Sequence, residues 1–294
     1  MRWDPIAPFE PFAPPVHRSL GEGGFAPLTA LCYNISVMAH VISIVNQKGG
    51  VGKTTTSLSL AAYLAHLGKF VLLVDLDPQA NATSGLGIDY RSVPAGIYEG
   101  MIGTHSMRNL IMPTAHEGLK IIPATQALAG AAVELVNAEE REHRLRKGIL
   151  EVRHDFDYIL IDNPPSLGLL TVNGLTASDS VLIPVQAEYY ALEGLGQLLG
   201  TVDLIREGLN PDLKVMGAVI TMYDSRTKLS KEVLEELYRY FPNNIFRSVV
   251  PRSVRLAEAP SFGKTILHYD PSSKAAKAYE RLAQEFLLRE NGGL

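Results

Sequence analysis

The sequence predicts an α/β chain built on one doubly wound, mostly parallel sheet of seven to eight strands, with helices on both faces. Three observations predict it. From Val41 onward, short β-branched runs alternate with longer stretches of helical period, the pattern of βαβ units whose strands are buried on both faces. The first such run leads into a glycine-rich loop and then a helical pattern. With 294 residues, 46% hydrophobic and 20% charged, the chain can bury a full core, which excludes a disordered or low-complexity protein.

Taken in order, the expected strands are Val41–Val45, Phe70–Asp75, Leu119–Ile122, Tyr158–Asp162, Val181–Val185, Val215–Thr221 and Ile245–Val250. Helical patterns fill most of the gaps, as in Leu58, Leu60, Ala61, Leu64 and Leu67 after the glycine loop. The last helix is expected over Lys274–Arg289. There Ala275, Tyr279, Leu282 and Phe286 form an apolar stripe while Glu280, Glu285 and Glu290 balance the cations, the composition of a terminal helix packed on the core. Residues 1–37 differ in kind: Pro5, Pro8, Pro11, Pro14, Pro15 and Pro27, with Gly21, Gly23 and Gly24, break every period, so this leader is expected to be disordered. Met38 directly precedes the first strand and is the expected physiological start, which leaves 38–294 as a single domain.

Composition removes several kinds of chemistry. The net charge is only −4, so a hold on nucleic acid requires a local basic patch. One cysteine, Cys32, cannot supply a disulfide framework, a cysteine zinc site or a cysteine-ligated iron–sulfur cluster. The start lacks the apolar core of a signal peptide, and no later stretch approaches about 18 uninterrupted apolar residues, so a soluble cytoplasmic protein is expected. The histidines, among them His40, His66, His116 and His268, show no metal-ligand spacing.

A doubly wound sheet carries its chemistry just beyond the carboxyl ends of its strands, here after Val45, Asp75, Asp162, Thr221 and Val250. The first of these segments reads Asn46-Gln47-Lys48-Gly49-Gly50-Val51-Gly52-Lys53-Thr54-Thr55-Thr56. Glycines let consecutive backbone N–H groups turn inward around a polyphosphate, and the following helix points its positive end at the same anion. Lys53 supplies a cation for the β- and γ-phosphates, and the Thr54 hydroxyl suits Mg²⁺. The strict P-loop spacing wants a glycine where Gln47 stands, and an extra lysine, Lys48, follows. Two ammonium groups on one short loop repel strongly unless phosphate neutralises them, so Lys48 is expected to need that anion. Two further strands end in acids. Phe70–Asp75 runs on through Leu76 to Asp77-Pro78, which alone reads equally as a strand end and a turn, and Tyr158–Asp162 runs into Asn163-Pro164-Pro165.

The loop resembles the deviant Walker A motif, Lys-Gly-Gly-x-Gly-Lys-Thr, of the ParA/MinD superfamily. Over roughly residues 40–290 the chain is most similar to the chromosomal ParA (Soj) group. The specific strings are Ile122-Pro123-Ala124-Thr125, Ser166-Leu167-Gly168-Leu169-Leu170-Thr171, Val185-Gln186-Ala187-Glu188-Tyr189-Tyr190-Ala191-Leu192-Glu193-Gly194 and Pro251-Arg252-Ser253-Val254-Arg255-Leu256-Ala257-Glu258-Ala259-Pro260-Ser261. The resemblance implies a slow, partner-stimulated ATPase whose cofactors are ATP and Mg²⁺. It implies that Gly49, Gly50, Val51, Gly52, Lys53, Thr54 and Thr55 cradle the phosphates, while Met222, Pro251 and Arg252 lie at the adenine. Thr54, Asp75 and Asp162 would serve the metal, Asp77 would orient the attacking water, and Lys48 would reach the nucleotide of a second subunit, with Gly50 keeping the two loops close. It further implies a homodimer in the ATP state, non-specific binding to double-stranded DNA on the nucleoid, a ParB-type stimulator and the segregation of chromosomes or plasmids. Arg226 and Arg255 match the family's basic positions, with Lys228, Arg247, Arg252 and Lys264 as companions diluted by nearby acids. A membrane-associated MinD-type division regulator is the alternative, and it calls for a basic amphipathic terminal helix. A redox ATPase of the same superfamily needs cysteine ligands that this chain lacks.

Overall fold

A computed structural model describes residues 38–188, 191–241, 244–290 and 292. The expected disordered leader, Cys32, and Tyr189 and Tyr190 of the family string lie outside the described residues. In chain order the elements are β1 (His40–Ile44), α1 (Lys53–His66), β2 (Val71–Asp75), α2 (Asn81–Gly85), α3 (Ile97–Ile102), α4 (Met107–Leu110), β3 (Met112–Pro113), β4 (Leu119–Ile122), α5 (Leu128–Glu134), α6 (Arg144–Leu150), β5 (Tyr158–Asp162), α7 (Leu169–Ala177), β6 (Ser180–Gln186), α8 (Ala191–Gly208), β7 (Lys214–Thr221), α9 (Lys228–Tyr240), α10 (Val254–Glu258), α11 (Ile266–Tyr269) and α12 (Lys274–Glu290).

These strands form a seven-stranded sheet in the order β3-β4-β2-β5-β1-β6-β7. All pairs are parallel except β3 with β4 at the margin. Alternation along each strand sorts side chains onto two faces. Ile42, Ile44, Val71 and Leu73 pack with α1 and α12 in one cluster. Val41, Leu72 and Val74 pack on the opposite face with Ile97, Met101, Met107, Ile149 and Leu170 from α3, α4, α6 and α7. A third cluster joins Val181, Ile183, Val185 and Ile220 of β6 and β7 to Leu198 and Val202 of α8 and Leu237 of α9. Every residue of β2 and β5 is buried, as the unbroken apolar runs require of central parallel strands.

Two expectations about the sheet are corrected. Met112–Pro113 is a marginal antiparallel strand that two residues could not announce by period, and its proline sits where an edge tolerates a missing N–H. Ile245–Val250 is not a strand. It touches β7 through an isolated bridge, Ala218 to Ile245, and then its Arg247 and Ser248 amides are taken by the two oxygens of Glu285 on α12, at 2.7 and 2.8 Å. Arg289, one turn further along α12, donates to the Ile245 carbonyl at 2.5 Å and lies over the Phe246 ring at 4.0 Å. Phe246 and Val250 donate to β7, and side chains from α12 satisfy the Arg247 and Ser248 amides between them, so the pairing with β7 is interrupted. The terminal helix itself is as expected: Ala275, Tyr279, Leu282 and Phe286 are fully buried, and the Tyr279 hydroxyl meets Thr56 of α1 at 3.1 Å.

Candidate active site

The glycine loop leaves β1 beside the carboxyl ends of β5 and β6, its two neighbours in the sheet. Gly50 and Gly52 have φ of +75° and +88°, the left-handed conformation that only glycine adopts without strain. An added Cβ on Gly50 would meet nothing within 4 Å, so within the protomer it is this φ, not crowding, that requires glycine. No side chain caps α1 at Gly52, which leaves the first-turn amides free for an anion. The loop is braced from three sides by side chains whose supporting contacts no local spacing announces. Asn46 donates to the Pro184 carbonyl at 2.8 Å and accepts the Lys48 amide at 2.9 Å. Gln47 reaches Gln197 on α8 at 2.7 Å, and Thr221 at the end of β7 donates to the Val51 carbonyl at 2.8 Å.

The two loop lysines face different ways. Lys53 is buried, and its ammonium donates to the Lys48 carbonyl at 3.1 Å, inside the loop's own curve. Burial holds its pKa below the ordinary lysine value, while Asp162 and Asp77 pull it back up. The Lys48 side chain is 43% exposed and pairs with Glu188, just past β6, at 2.7 Å. This corrects the expectation that the lysines stay unneutralised without phosphate, because a carboxylate of the same chain supplies the counter-charge. Glu188 stood in the family string with no role attached to it. Only the placement of Lys48 next to β6, a long-range feature, reveals it.

Asp75 and Asp162 stand side by side, paired in register at the ends of β2 and β5. Burial, with the neighbouring Asp75 adding to it, pushes the Asp162 carboxyl up to about 7, against the opposing influence of the Thr54 and Ser57 hydroxyls. Its Oδ1 accepts from Ser57 at 2.8 Å, whereas its Oδ2 is buried without a partner. The Asn163 Oδ1 next to it is a second buried acceptor without a partner. Burial likewise lifts Asp75 to about 6, with Thr83 opposing. Asp75 accepts the Thr83 amide and hydroxyl on Oδ2, at 2.8 and 2.7 Å, and the Asp77 amide on Oδ1 at 3.3 Å. It therefore ties β2 to α2. Asp77 is buried and both turns the chain and faces the site: Oδ1 accepts the Gln79 amide at 2.9 Å while its charge acts on Lys53.

The unpartnered carboxylate oxygen of Asp162 and the neighbouring Thr54 hydroxyl are hard donors, the kind a small divalent cation takes. Among the described residues no group of three or more His, Cys, Asp or Glu could hold a metal by itself. That combination fits Mg²⁺, which uses few protein ligands and completes its shell with phosphate and water.

The loops after β7 and after the Ile245–Val250 segment are laced together. Tyr223 donates to Val250 at 3.1 Å, and Arg252 donates back to Tyr223 at 3.1 Å. Met222, Pro251 and Arg252 thus come together beside Thr221, whose side chain lies 3.8 Å from where a Cβ on Gly52 would be. Met222 holds a left-handed φ of +51°, a strained conformation for this residue. Of the six basic candidates, three are paired with acids. Arg226 forks onto Asp224 at 2.9 and 2.7 Å, Lys228 pairs with Glu232 at 3.1 Å, and Arg255 pairs with Glu258 at 3.1 Å and Asp270 at 3.5 Å. Arg247 is fixed through its amide by Glu285, and Lys264 through its amide by the Ala259 carbonyl at 3.2 Å. Asp224 is held down to about 2, with the Arg226 hydrogen bonds as the cause.

Comparison with known proteins places this geometry. A family profile described as an AAA domain matches residues 39–215. The sporulation initiation inhibitor protein Soj of Bacillus subtilis is 55% identical over 248 residues, 84% of this chain and 98% of that protein. The chromosome partitioning protein ParA of Myxococcus xanthus is 51% identical over 255 residues, 87% of this chain and 90% of that protein. Among solved structures, cobyrinic acid a,c-diamide synthase from Mycobacterium smegmatis with bound ADP and magnesium superposes with a TM-score of 0.78 at 38% identity, covering 87% of this chain and 97% of that one. A glycine loop with an added lysine, two strand-end aspartates and this degree of likeness along nearly the whole of its relatives lead to one conclusion: the chain belongs to the ParA/Soj family of chromosome-partitioning ATPases.

Proposed function

We propose that residues 38–294 act as an ATP-dependent dimerising switch that binds double-stranded DNA without sequence preference and hydrolyses ATP slowly. In this reading a ParB-type partner stimulates hydrolysis and releases the DNA, so that the protein moves chromosomes or plasmids from a cytoplasmic, nucleoid-associated position. The observation that carries it is the division of the two lysines. Lys53 turns inward within its own loop, while Lys48 stands half-exposed, as the reading requires of a residue that reaches a nucleotide held by a second copy.

Within each protomer, the amides of Gly49, Gly50, Val51 and Gly52 and the first turn of α1 would bind the phosphates, with Lys53 neutralising their charge. Thr54 and the free oxygen of Asp162 would hold Mg²⁺, which supplies charge neutralisation at the β- and γ-phosphate oxygens. Asp77 would accept a hydrogen bond from the attacking water and orient it, and Met222, Pro251 and Arg252 would border the adenine. A carboxylate is a weak base for water, which suits a timer. DNA would meet Arg226 and Arg255 across a dimer that doubles a charge-compensated surface, so affinity should fall steeply with salt. The membrane-regulator alternative calls for a terminal helix with a free apolar face, whereas the apolar stripe of α12 is buried in the core. Light scattering with ATP and Mg²⁺ tests the reading: wild type should double in mass, and Lys48→Ala should remain a monomer. A Lys48→Ala chain that dimerises normally would overturn it.

A further inference from the structure

The Lys48–Glu188 contact is more than a chance meeting of two surface side chains, because both ends are mounted on the same frame. The Lys48 amide is fixed by Asn46 Oδ1 at 2.9 Å, and the Asn46 amide group is fixed in turn by the Pro184 carbonyl of β6 at 2.8 Å. Glu188 follows β6 directly. Its amide donates to the Gln186 carbonyl at 2.8 Å, its Oε1 accepts from the Gln186 side chain at 2.5 Å, and Ala187 before it donates to Thr221 at 3.2 Å. The second carboxylate oxygen is thereby aimed at the Lys48 ammonium, 2.7 Å away. Preorganisation of this kind lowers the entropic cost that makes most surface pairs worthless. Yet both side chains remain about two-fifths exposed, at 43% and 42%, so an incoming group can reach the ammonium and displace the carboxylate.

We infer that Glu188 is a positioning residue that holds the Lys48 ammonium on its own protomer, so that Lys48 is released only to an anion of greater charge than one carboxylate. A polyphosphate presented by a second copy meets that requirement, whereas an empty loop does not. Glu188 thus sets a threshold for association and suppresses contacts between idle protomers. The inference rests on the reading of Lys48 given above.

The test uses the full chain and two readouts. The first is the rate at which an amine-reactive succinimidyl ester acylates Lys48 without nucleotide, measured by peptide mass spectrometry. Loss of the carboxylate frees the ammonium from its ion pair, so Glu188→Gln should raise the Lys48 rate about two- to fivefold, the range an exposed pair supports, with other lysines unchanged. Glu188→Asp, which keeps the charge on a shorter arm, should fall between the two. The second readout is the ATP concentration at half-maximal dimerisation, which Glu188→Gln should lower by a similar factor. An unchanged Lys48 rate overturns the inference. So does a dimerisation midpoint that stays put or rises in Glu188→Gln. A wild-type chain that remains monomeric with ATP and Mg²⁺ overturns the dimer reading and the competition with it, and faster acylation in Glu188→Gln would then still identify the intramolecular pair itself, which tells the two failures apart.

Discussion

At the residue scale the site is governed by what is buried and what is left without a partner. Asp75 and Asp162 have folded values of about 6 and about 7, above the 3.8 of a free aspartate. A raised carboxyl pKa means that the folded, nucleotide-free chain binds protons the unfolded chain has already lost. Its contribution to stability is therefore complete below about pH 4 and is lost as pH rises through 6 and 7. Asp162→Asn is neutral throughout and should flatten that slope, leaving the nucleotide-free variant roughly 1–3 kcal/mol more stable than wild type at about pH 8 by urea titration. The same variant should lose the stabilisation that ATP with Mg²⁺ gives wild type. Asp77→Ala should keep ATP binding and dimerisation and lose turnover, as followed by phosphate release, and unimpaired hydrolysis would remove Asp77 from the mechanism. The candidate site was legible here wherever chemistry rides on local spacing: the loop lysines, Thr54 and the two strand-end aspartates all follow from short strings. Asn46, Ser57, Thr83 and Thr221 were not, because each acts on a residue brought near by the fold, and Thr221 reaches Val51 from the far end of the chain.

At the element scale, the segment after α9 shows how a helix can hold extended chain where its pairing with β7 is interrupted. Glu285 gives both oxygens to the Arg247 and Ser248 amides, and Arg289 takes the Ile245 carbonyl. Glu285→Ala would strip two charge-assisted bonds from amides at a site where Glu285 is only 8% exposed, costing about 3 kcal/mol. Hydrogen exchange at Arg247 and Ser248 should speed up with it, while the β1–β5 amides hold their protection. This also explains the misread strand. The run Ile245–Val250 has apolar residues buried at Phe246 and Val250, as a strand would, but the polar acceptors that satisfy its backbone lie about 40 residues on in sequence, and no local period can register them. The longer central strands were legible to within a residue because an apolar run between turn signals has few other uses. The two-residue β3 carried no period at all.

For the whole molecule, the sheet order puts the chemistry-bearing turns on adjacent strands: β2, β5, β1, β6 and β7 deliver Asp77, Asp162, the glycine loop, Glu188 and Met222 to one end of the sheet. In the proposed reading, function at this scale lies in association. Arg255→Glu should leave ATP-dependent dimerisation intact and weaken duplex binding at matched salt by tenfold or more, since it turns one attraction per protomer into a repulsion. Wild-type binding that survives this change would move the DNA surface elsewhere. Arg226, Lys228 and Arg255 each carry an acid of their own, and it was the resemblance, not the composition, that pointed in the sequence to the proposed DNA surface. The lacing of Tyr223 to Val250 and Arg252 has one more effect. Met222 and Arg226 share one short strip of chain, Pro251 and Arg255 share the other, and the two strips are stitched together. In the proposed cycle, fuel and cargo therefore press on opposite margins of a single small seam, and no long lever is needed for the grip on one to keep time with the presence of the other.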